Sequence, residues 1–485
     1  MCEIIILKIL NKKGDIIMSK LPKDFVLGAA TAAYQVEGSS TVDGKGRALW
    51  DGFLEKQGRF SPDPASDFYN RYEEDIRLAS EYGIKGIRIS VAWSRIIPDG
   101  TGEVNPKGIE YYRNVFETCH KYGVEPYVTL HHFDTPETLF EKGDWLNKAQ
   151  LDAFDRFAEL VFDEYHDIVK HWMTINEPIA YVQGQYITGA FPPGEQYNTL
   201  KCLQAQHNQI VAHSRVVNLF KSKGYEGEIG LIHALTQFYS IDNQPLNQIA
   251  AYKHDIFMNG FMLDGTFLGY YTPEKLTVVR EILGDEFEKL DIREEELEEM
   301  RKAAPQLDFL GINYYQSNWI KYHNQESYIH HNGTGDKGTS VFRVKGIGEV
   351  VKNEAIPTND WDWYIYPQGL YDMILRIKND YPNYKKIYIT ENGLGYKDVL
   401  EENGEVHDED RIGYIRQHID EIERAYVDGV NVKGYFVWSL QDMFSWSNGY
   451  NKRYGLFYID FETQKRYIKD SAKWYKALSL DIYGK

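Results

Sequence analysis

Three cysteines in 485 residues, Cys2, Cys119 and Cys202, match neither a disulfide framework nor the spacing of a zinc site. Such sparse usage fits a reducing compartment, and the cytoplasm is the expected location. Cys119 falls on the apolar side of a helical pattern and reads as a small core residue. Positive charge is also short: 54 Lys and Arg against 72 Asp and Glu leave a formal charge of −18. A surface of that sign repels nucleic acid and anionic membranes, so neither is expected as a partner. It would also repel a phosphorylated small molecule at long range, so such a ligand would need a local cationic pocket. No apolar run is long enough to span a bilayer. The nearest approach, Ile4-Ile5-Ile6-Leu7, is broken by Lys8 and has neither a basic region before it nor a small-residue cleavage site after it. Lys13-Gly14-Asp15, whose codons can form a ribosome-binding purine run, stands just before Met18. Residues 1–20 are therefore expected to be a leader outside the fold, with one domain over 21–485.

Hydrophobic residues make up 43% of the chain and aromatic ones 14%, enough for a large core. The rings suit either that core or a sugar-binding cleft. Eight short apolar, β-rich runs alternate with amphipathic stretches: 25–35, 84–93, 125–133, 171–177, 228–235, 307–315, 386–391 and 432–440. Runs that are apolar on both faces fit buried parallel strands. Asn105-Pro106 supplies an N-cap and a first-turn proline. Ile109, Tyr112, Val115, Phe116 and Cys119 then recur at helical spacing, and Gly123 ends the run. Residues 152–170 repeat the pattern. Eight β-then-α units without a linker predict an α/β fold, a single-domain (β/α)8 TIM barrel. An open doubly wound sheet is disfavoured because no glycine-rich phosphate loop follows any strand. Two stretches depart from the rhythm. Residues 286–301 are acidic and read as a solvated helix face. Residues 321–360 read as a long polar connection. It contains His330-His331, which has no companion carboxylate or cysteine for a metal, and Trp361 and Trp363 follow it.

In a barrel, chemistry collects at the C-terminal ends of the strands. The first run ends at Gln35, the third at Leu130-His131-His132-Phe133-Asp134, the fourth at Thr174-Ile175-Asn176-Glu177-Pro178. The sixth ends at Gly311-Ile312-Asn313-Tyr314-Tyr315 and the seventh at Ile389-Thr390-Glu391-Asn392-Gly393. Glu177 and Glu391 each terminate an otherwise apolar strand. Two carboxylates across a cleft suit glycoside hydrolysis, one as a neutral acid for the leaving oxygen, the other as an anion that attacks carbon or activates water. Arg88 could keep one of them ionised. His131 and His132 point to opposite faces of their strand, so only one can line the pocket, which argues against a metal pair.

The two glutamate motifs, with Ala33-Tyr34-Gln35-Val36-Glu37-Gly38, resemble glycoside hydrolase family 1 from about residue 21 to the C-terminus. The resemblance implies Glu177 as acid/base, Glu391 as nucleophile, retention of configuration, and no cofactor or metal. Retention places the carboxyl groups about 5–5.5 Å apart. Gln35, His132, Asn176, Asn313 and Trp438 correspond to its sugar-binding set, and Arg88 and Tyr315 to groups that position the nucleophile.

After the last strand comes Phe444-Ser445-Trp446-Ser447-Asn448-Gly449-Tyr450-Asn451-Lys452-Arg453-Tyr454-Gly455. Family members acting on neutral sugars usually carry glutamate where Ser445 stands. A carboxylate there would repel a phosphate, and serine removes the repulsion. Lys452 and Tyr454, two apart, point the same way in an extended segment and offer an ammonium and a phenol. The segment is similar to that of family members acting on 6-phospho-β-galactosides, in which Ser445, Trp446, Lys452 and Tyr454 would bind the phosphorylated sugar. That implies a phosphorylated disaccharide such as lactose 6-phosphate, supplied by a phosphorylating sugar uptake system. The alternatives are a 6-phospho-β-glucosidase or dual activity, a neutral β-glycosidase, and a catalytically silent sugar-phosphate binder.

Overall fold

A computed structural model describes residues 19–330, 338 and 340–484. The expected leader up to Met18 and the histidine pair's partner His331 lie outside the described residues. Ser19, assigned by sequence to the leader, donates from its hydroxyl to Glu423 (2.5 Å) and from its N–H to Asp481 (2.7 Å), which ties it to two helices.

Eight parallel strands close into a barrel: β1 Val26–Ala30, β2 Gly86–Ser90, β3 Glu125–His131, β4 His171–Asn176, β5 Glu228–Ala234, β6 Phe309–Asn313, β7 Ile387–Asn392 and β8 Val432–Trp438. They follow chain order around the ring, and β1 pairs with both β2 and β8. Each falls on its predicted run, and the architecture is the expected (β/α)8 barrel. Buried rings fill the floor: Phe436 meets Tyr127 edge-on at 4.8 Å, and Phe309 meets Tyr388 at 5.1 Å. Gly28 makes room for them, since a Cβ there would come within 2.4 Å of the Phe436 ring. The helix Pro106–Lys121 starts as predicted, with the Asn105 side chain accepting from the Lys107 N–H at 3.3 Å. It buries Tyr112, Val115, Phe116 and Cys119.

Three expectations change. The first run does not stay extended to Gln35. It leaves the barrel after Ala30 and coils into the turn Ala33–Val36, because Ser90 Oγ takes the Ala33 N–H at 2.7 Å. The polar stretch 321–360 is not a plain connection. Tyr328–His330, Val341–Val344 and Gly348–Val351 join Ser317–Lys321 and Gln237–Ser240 in a five-stranded sheet beside the barrel. Strands of three to five residues are too short to display a two-residue period against polar turns. The acidic stretch is not wholly a solvated face either. In the helix Glu294–Ala303, Glu296 is buried and accepts from Lys148 (2.5 Å) and His207 (3.1 Å).

The strand ends form a level rim. Ala30 stands beside Arg88 and Trp438, and Asn313 beside Ala234 and Glu391. Register slips fall between Met173 and Asn176 and between Ile389 and Glu391, just where the two glutamates leave their strands. Irregularities of this kind at barrel rims re-aim side chains.

The segment after β8 is anchored by a buried ion network. Asp442 accepts from Lys469 (2.7 Å), Arg453 (2.6 Å) and the Gly455 N–H (2.9 Å). Lys469 also pairs with Asp398 at 2.5 Å, and Arg411 bridges Asp398 and Asp408 while donating to the Arg453 carbonyl. Burial alone would raise the Asp398 carboxyl, but Lys469 and Arg411 outweigh it and draw it down to about 2. Stability from Asp398 is thus present above the ordinary carboxylate range and lost as pH falls from about 4 towards 2. Removing one partner strands buried charge, so Asp442→Ala is expected to lower unfolding free energy by roughly 3–5 kcal/mol in urea denaturation, and Asp442→Asn by less.

Candidate active site

Pro178 fixes the first turn of the helix Pro178–Tyr186 and disfavours right-handed helical geometry for the residue before it. Glu177 accordingly takes a left-handed backbone (φ 45°), and its N–H donates to Ile232 O at 2.9 Å. This sharp exit from β4 leaves its carboxyl buried at the rim, accepting from Asn313 Nδ2 at 2.6 Å. Burial, and then the charge of Glu391, push the carboxyl up to about 8, against the pull of Asn313 and Arg88. The acid form therefore persists at neutral pH.

Glu391 stands in the opposite environment. The Arg88 guanidinium donates to its Oε1, and the Tyr315 hydroxyl donates to Oε2 at 2.6 Å. Burial and the two carboxylates raise the Tyr315 phenol well above its ordinary range, so it keeps its proton as a donor. Arg88 lies wholly inside the barrel mouth and also donates to Thr129 Oγ1 (3.0 Å) and Asn176 Oδ1 (2.6 Å). Thr390 Oγ1 donates to Asn313 Oδ1 at 2.7 Å, which turns the Asn313 amide N–H towards Glu177.

The His132 ring nitrogens lie 3.2 Å from Arg88 and 3.1 Å from Asn176, and its ring stacks 6.0 Å from Trp438. Burial, then Arg88, hold it well below the ordinary histidine range, so the ring is neutral. His131 faces away and contacts Thr135 Oγ1 at 2.9 Å beside Trp145 and Tyr181. Gln35 donates to Phe444 O at 2.7 Å, while its buried Oε1 has no donor among the described residues. Trp446 is clamped between Tyr34 (5.7 Å) and Trp50 (4.6 Å) and comes within 6.4 Å of His132. Ser445, next to it, is buried in a turn closed by its N–H on Gly449 O at 2.8 Å.

Lys452 and Tyr454 do point the same way. The Lys452 ammonium lies 5.2 Å from the Tyr454 ring, and Tyr454 lies 6.4 Å from Tyr315. Arg453 turns the other way, into the buried pair with Asp442. Lys452 is buried, and among the described residues no carboxylate pairs with it. Three ring faces surround it instead: Trp363 at 3.6 Å, Trp361 at 4.9 Å and Tyr454. Burial depresses its pKa well below the usual lysine value. Contacts thus join Glu177, Glu391, Arg88, Tyr315, His132, Asn176, Asn313 and Trp438 at one mouth, with Trp446, Tyr454 and Lys452 beside it. The sequence carries no sign that Trp361 and Trp363 surround Lys452.

Because Glu177 is held protonated in the fold but ionises at an ordinary pH when unfolded, the native state loses stability as pH rises from about 4 towards 8. Glu177→Gln removes that loss. Its melting temperature is expected to exceed that of the parent by a margin that widens from pH 5 to pH 8 in differential scanning calorimetry.

The family profile "Glycosyl hydrolase family 1" matches residues 17–481. A protein named 6-phospho-beta-galactosidase from Clostridium acetobutylicum is 53% identical over 464 residues, covering 96% of this chain and 98% of the relative. Proteins of the same name from Leptotrichia buccalis (56%) and Staphylococcus aureus (55%) match over 461 residues, 95% of this chain and 98% of each relative. Among solved structures, a family 1 β-glucosidase from Thermotoga maritima superposes with a TM-score of 0.85 at 33% identity, covering 96% of this chain and 99% of that one. With its barrel, its two rim glutamates and these relatives, the chain belongs to glycosyl hydrolase family 1.

Proposed function

We propose that the protein is a retaining 6-phospho-β-galactosidase that hydrolyses lactose 6-phosphate and related 6-phospho-β-D-galactosides to D-galactose 6-phosphate and the aglycone. One observation carries the substrate assignment: Lys452, a buried ammonium without a carboxylate partner among the described residues, shares the mouth with the two glutamates. A phosphate supplies the anion that this lysine lacks, and the interaction is strengthened by burial. Tyr454 offers a second donor, and Ser445 leaves the approach uncharged. The three named relatives act in support.

Glu177, protonated, gives its proton to the glycosidic oxygen as Glu391 Oε attacks the anomeric carbon and the C1–O bond breaks. The aglycone leaves as an alcohol, and a galactosyl ester of Glu391 forms. Glu177, now a carboxylate, takes a proton from water. The water oxygen bonds to C1, the ester bond breaks, and Glu177 is protonated again. Arg88 and Tyr315 donate to the two oxygens of Glu391 and aim it. Gln35, His132, Asn176, Asn313 and Trp438 bind the sugar ring, and Trp446 bears on the choice between 4-hydroxyl epimers. A phosphorylated disaccharide does not cross a bilayer unaided, so the enzyme would act in the cytoplasm on sugar phosphorylated during uptake. Among the described residues no helix is long and apolar enough to cross a membrane.

The acid must carry its proton, so kcat/KM is expected to fall about tenfold per pH unit above roughly pH 8, the value to which Glu177 is pushed. Proton NMR of the first product should show the β-anomer of galactose 6-phosphate; the α-anomer first would mean inversion. Glu391→Gln should abolish turnover, which would exclude a catalytically silent sugar-phosphate binder; turnover near the parent rate would overturn Glu391 as the nucleophile. Lys452→Met and Ser445→Glu should each lower kcat/KM on nitrophenyl β-galactoside 6-phosphate by at least about tenfold more than on the unphosphorylated glycoside. Parallel rates on the gluco epimer decide between galacto-selective and dual activity.

A further inference from the structure

Trp361 has no part in the chemistry above, yet its placement is tightly determined. Asn359 Oδ1 accepts the N–H groups of both Trp361 (2.9 Å) and Trp363 (3.1 Å), and the Asn359 N–H donates to Trp363 O at 3.0 Å. This turn carries both indoles onto the Lys452 ammonium, the Trp363 face at 3.6 Å and the Trp361 ring at 4.9 Å. Gly395 opens the space opposite, since a Cβ there would lie 2.3 Å from the Lys452 side chain. Trp363 serves as a cation–π support for the ammonium.

Trp361 offers something else. It is only 5% exposed, and its indole N–H has no acceptor among the described residues. Burying a donor without an acceptor is unfavourable, and in native proteins such groups call for a specific explanation. The Trp172 indole N–H is also without an acceptor, but its ring packs against Phe162 at 5.0 Å in the layer between β4 and the helices, away from any cation. Two lysines reach the Trp361 ring, Lys452 at 4.9 Å and Lys397 at 5.5 Å. An anion drawn to Lys452 therefore comes within reach of the orphaned N–H.

We infer that Trp361 is a substrate-binding residue whose indole N–H donates to the phosphate held by Lys452. The inference rests on the phosphate-binding reading given above. It assigns a neutral, directional donor to a site otherwise built from an ammonium and hydroxyls, and such a donor cannot lose its proton as pH rises.

The test compares Trp361→Phe, which keeps a ring face and removes the N–H, with Lys452→Met. Both are assayed on o-nitrophenyl β-galactoside 6-phosphate and on the unphosphorylated glycoside. Trp361→Phe is expected to raise KM for the phosphorylated substrate roughly tenfold more than for the unphosphorylated one, with kcat changed less than KM. If Trp361→Phe affects both substrates equally, or neither, while Lys452→Met loses the phosphorylated one selectively, the inference fails and the reading beneath it stands. If Lys452→Met leaves phosphate selectivity intact, the reading itself fails and takes the inference with it. Should Trp361→Phe not fold, a crystal of the parent protein with galactose 6-phosphate decides. An Nε1 to phosphate-oxygen distance of about 2.7–3.2 Å supports the assignment, and an indole turned from the phosphate overturns it.

Discussion

Arg88 brings a permanent positive charge into the mouth of the barrel, where no side-chain surface remains for water. From β2 it donates to Thr129 on β3, Asn176 on β4 and Glu391 on β7. One guanidinium thereby joins four strands and sets the charge of the groups around it. Two buried glutamates facing one another cannot both ionise at low cost. Burial, and then the charge of Glu391, keep Glu177 protonated against the pull of Asn313 and Arg88. The neutral state of His132 follows from burial and the same charge. The two glutamates thus sit in different surroundings, one against an amide and the other against a guanidinium and a phenol.

Two buried lysines after β8 stand in contrasting surroundings. Lys469 lies between Asp398 and Asp442, so its charge is balanced within the fold. Lys452, separated from it by a short stretch of chain, has three aromatic rings around its amine and no carboxylate partner among the described residues. The balanced lysine helps to hold the loop through Asp442, Arg453 and Gly455. The unbalanced one is presented by that loop to the mouth. Burial without a carboxylate partner among the described residues depresses the Lys452 pKa, and an incoming anion would restore the charge there despite an overall charge of −18.

The eight barrel strands were legible because each is a short apolar run buried on both faces, and the two glutamates because each interrupts such a run at its end. The sheet formed with residues 328–351 was not legible, since its strands are too short and too polar to show alternation, and their pairing depends on Ser317–Lys321 and Gln237–Ser240 elsewhere in the chain. Glu296 read as one more solvated acid in a charged helix, because nothing local reveals His207 and Lys148 across from it.

The sequence by itself determined the barrel, the pair of rim carboxylates and the family, because hydrophobic period and strand-end motifs are local. It also brought forward Ser445, Lys452 and Tyr454 as a group. Only the tertiary structure decided that Glu177 keeps its proton, since that depends on burial and on Glu391, Asn313 and Arg88 from other strands. It alone also set Trp361 and Trp363 around Lys452, some ninety residues away along the chain. Electrostatic balance and side-chain enclosure are properties of neighbours in space, which no single stretch of chain records.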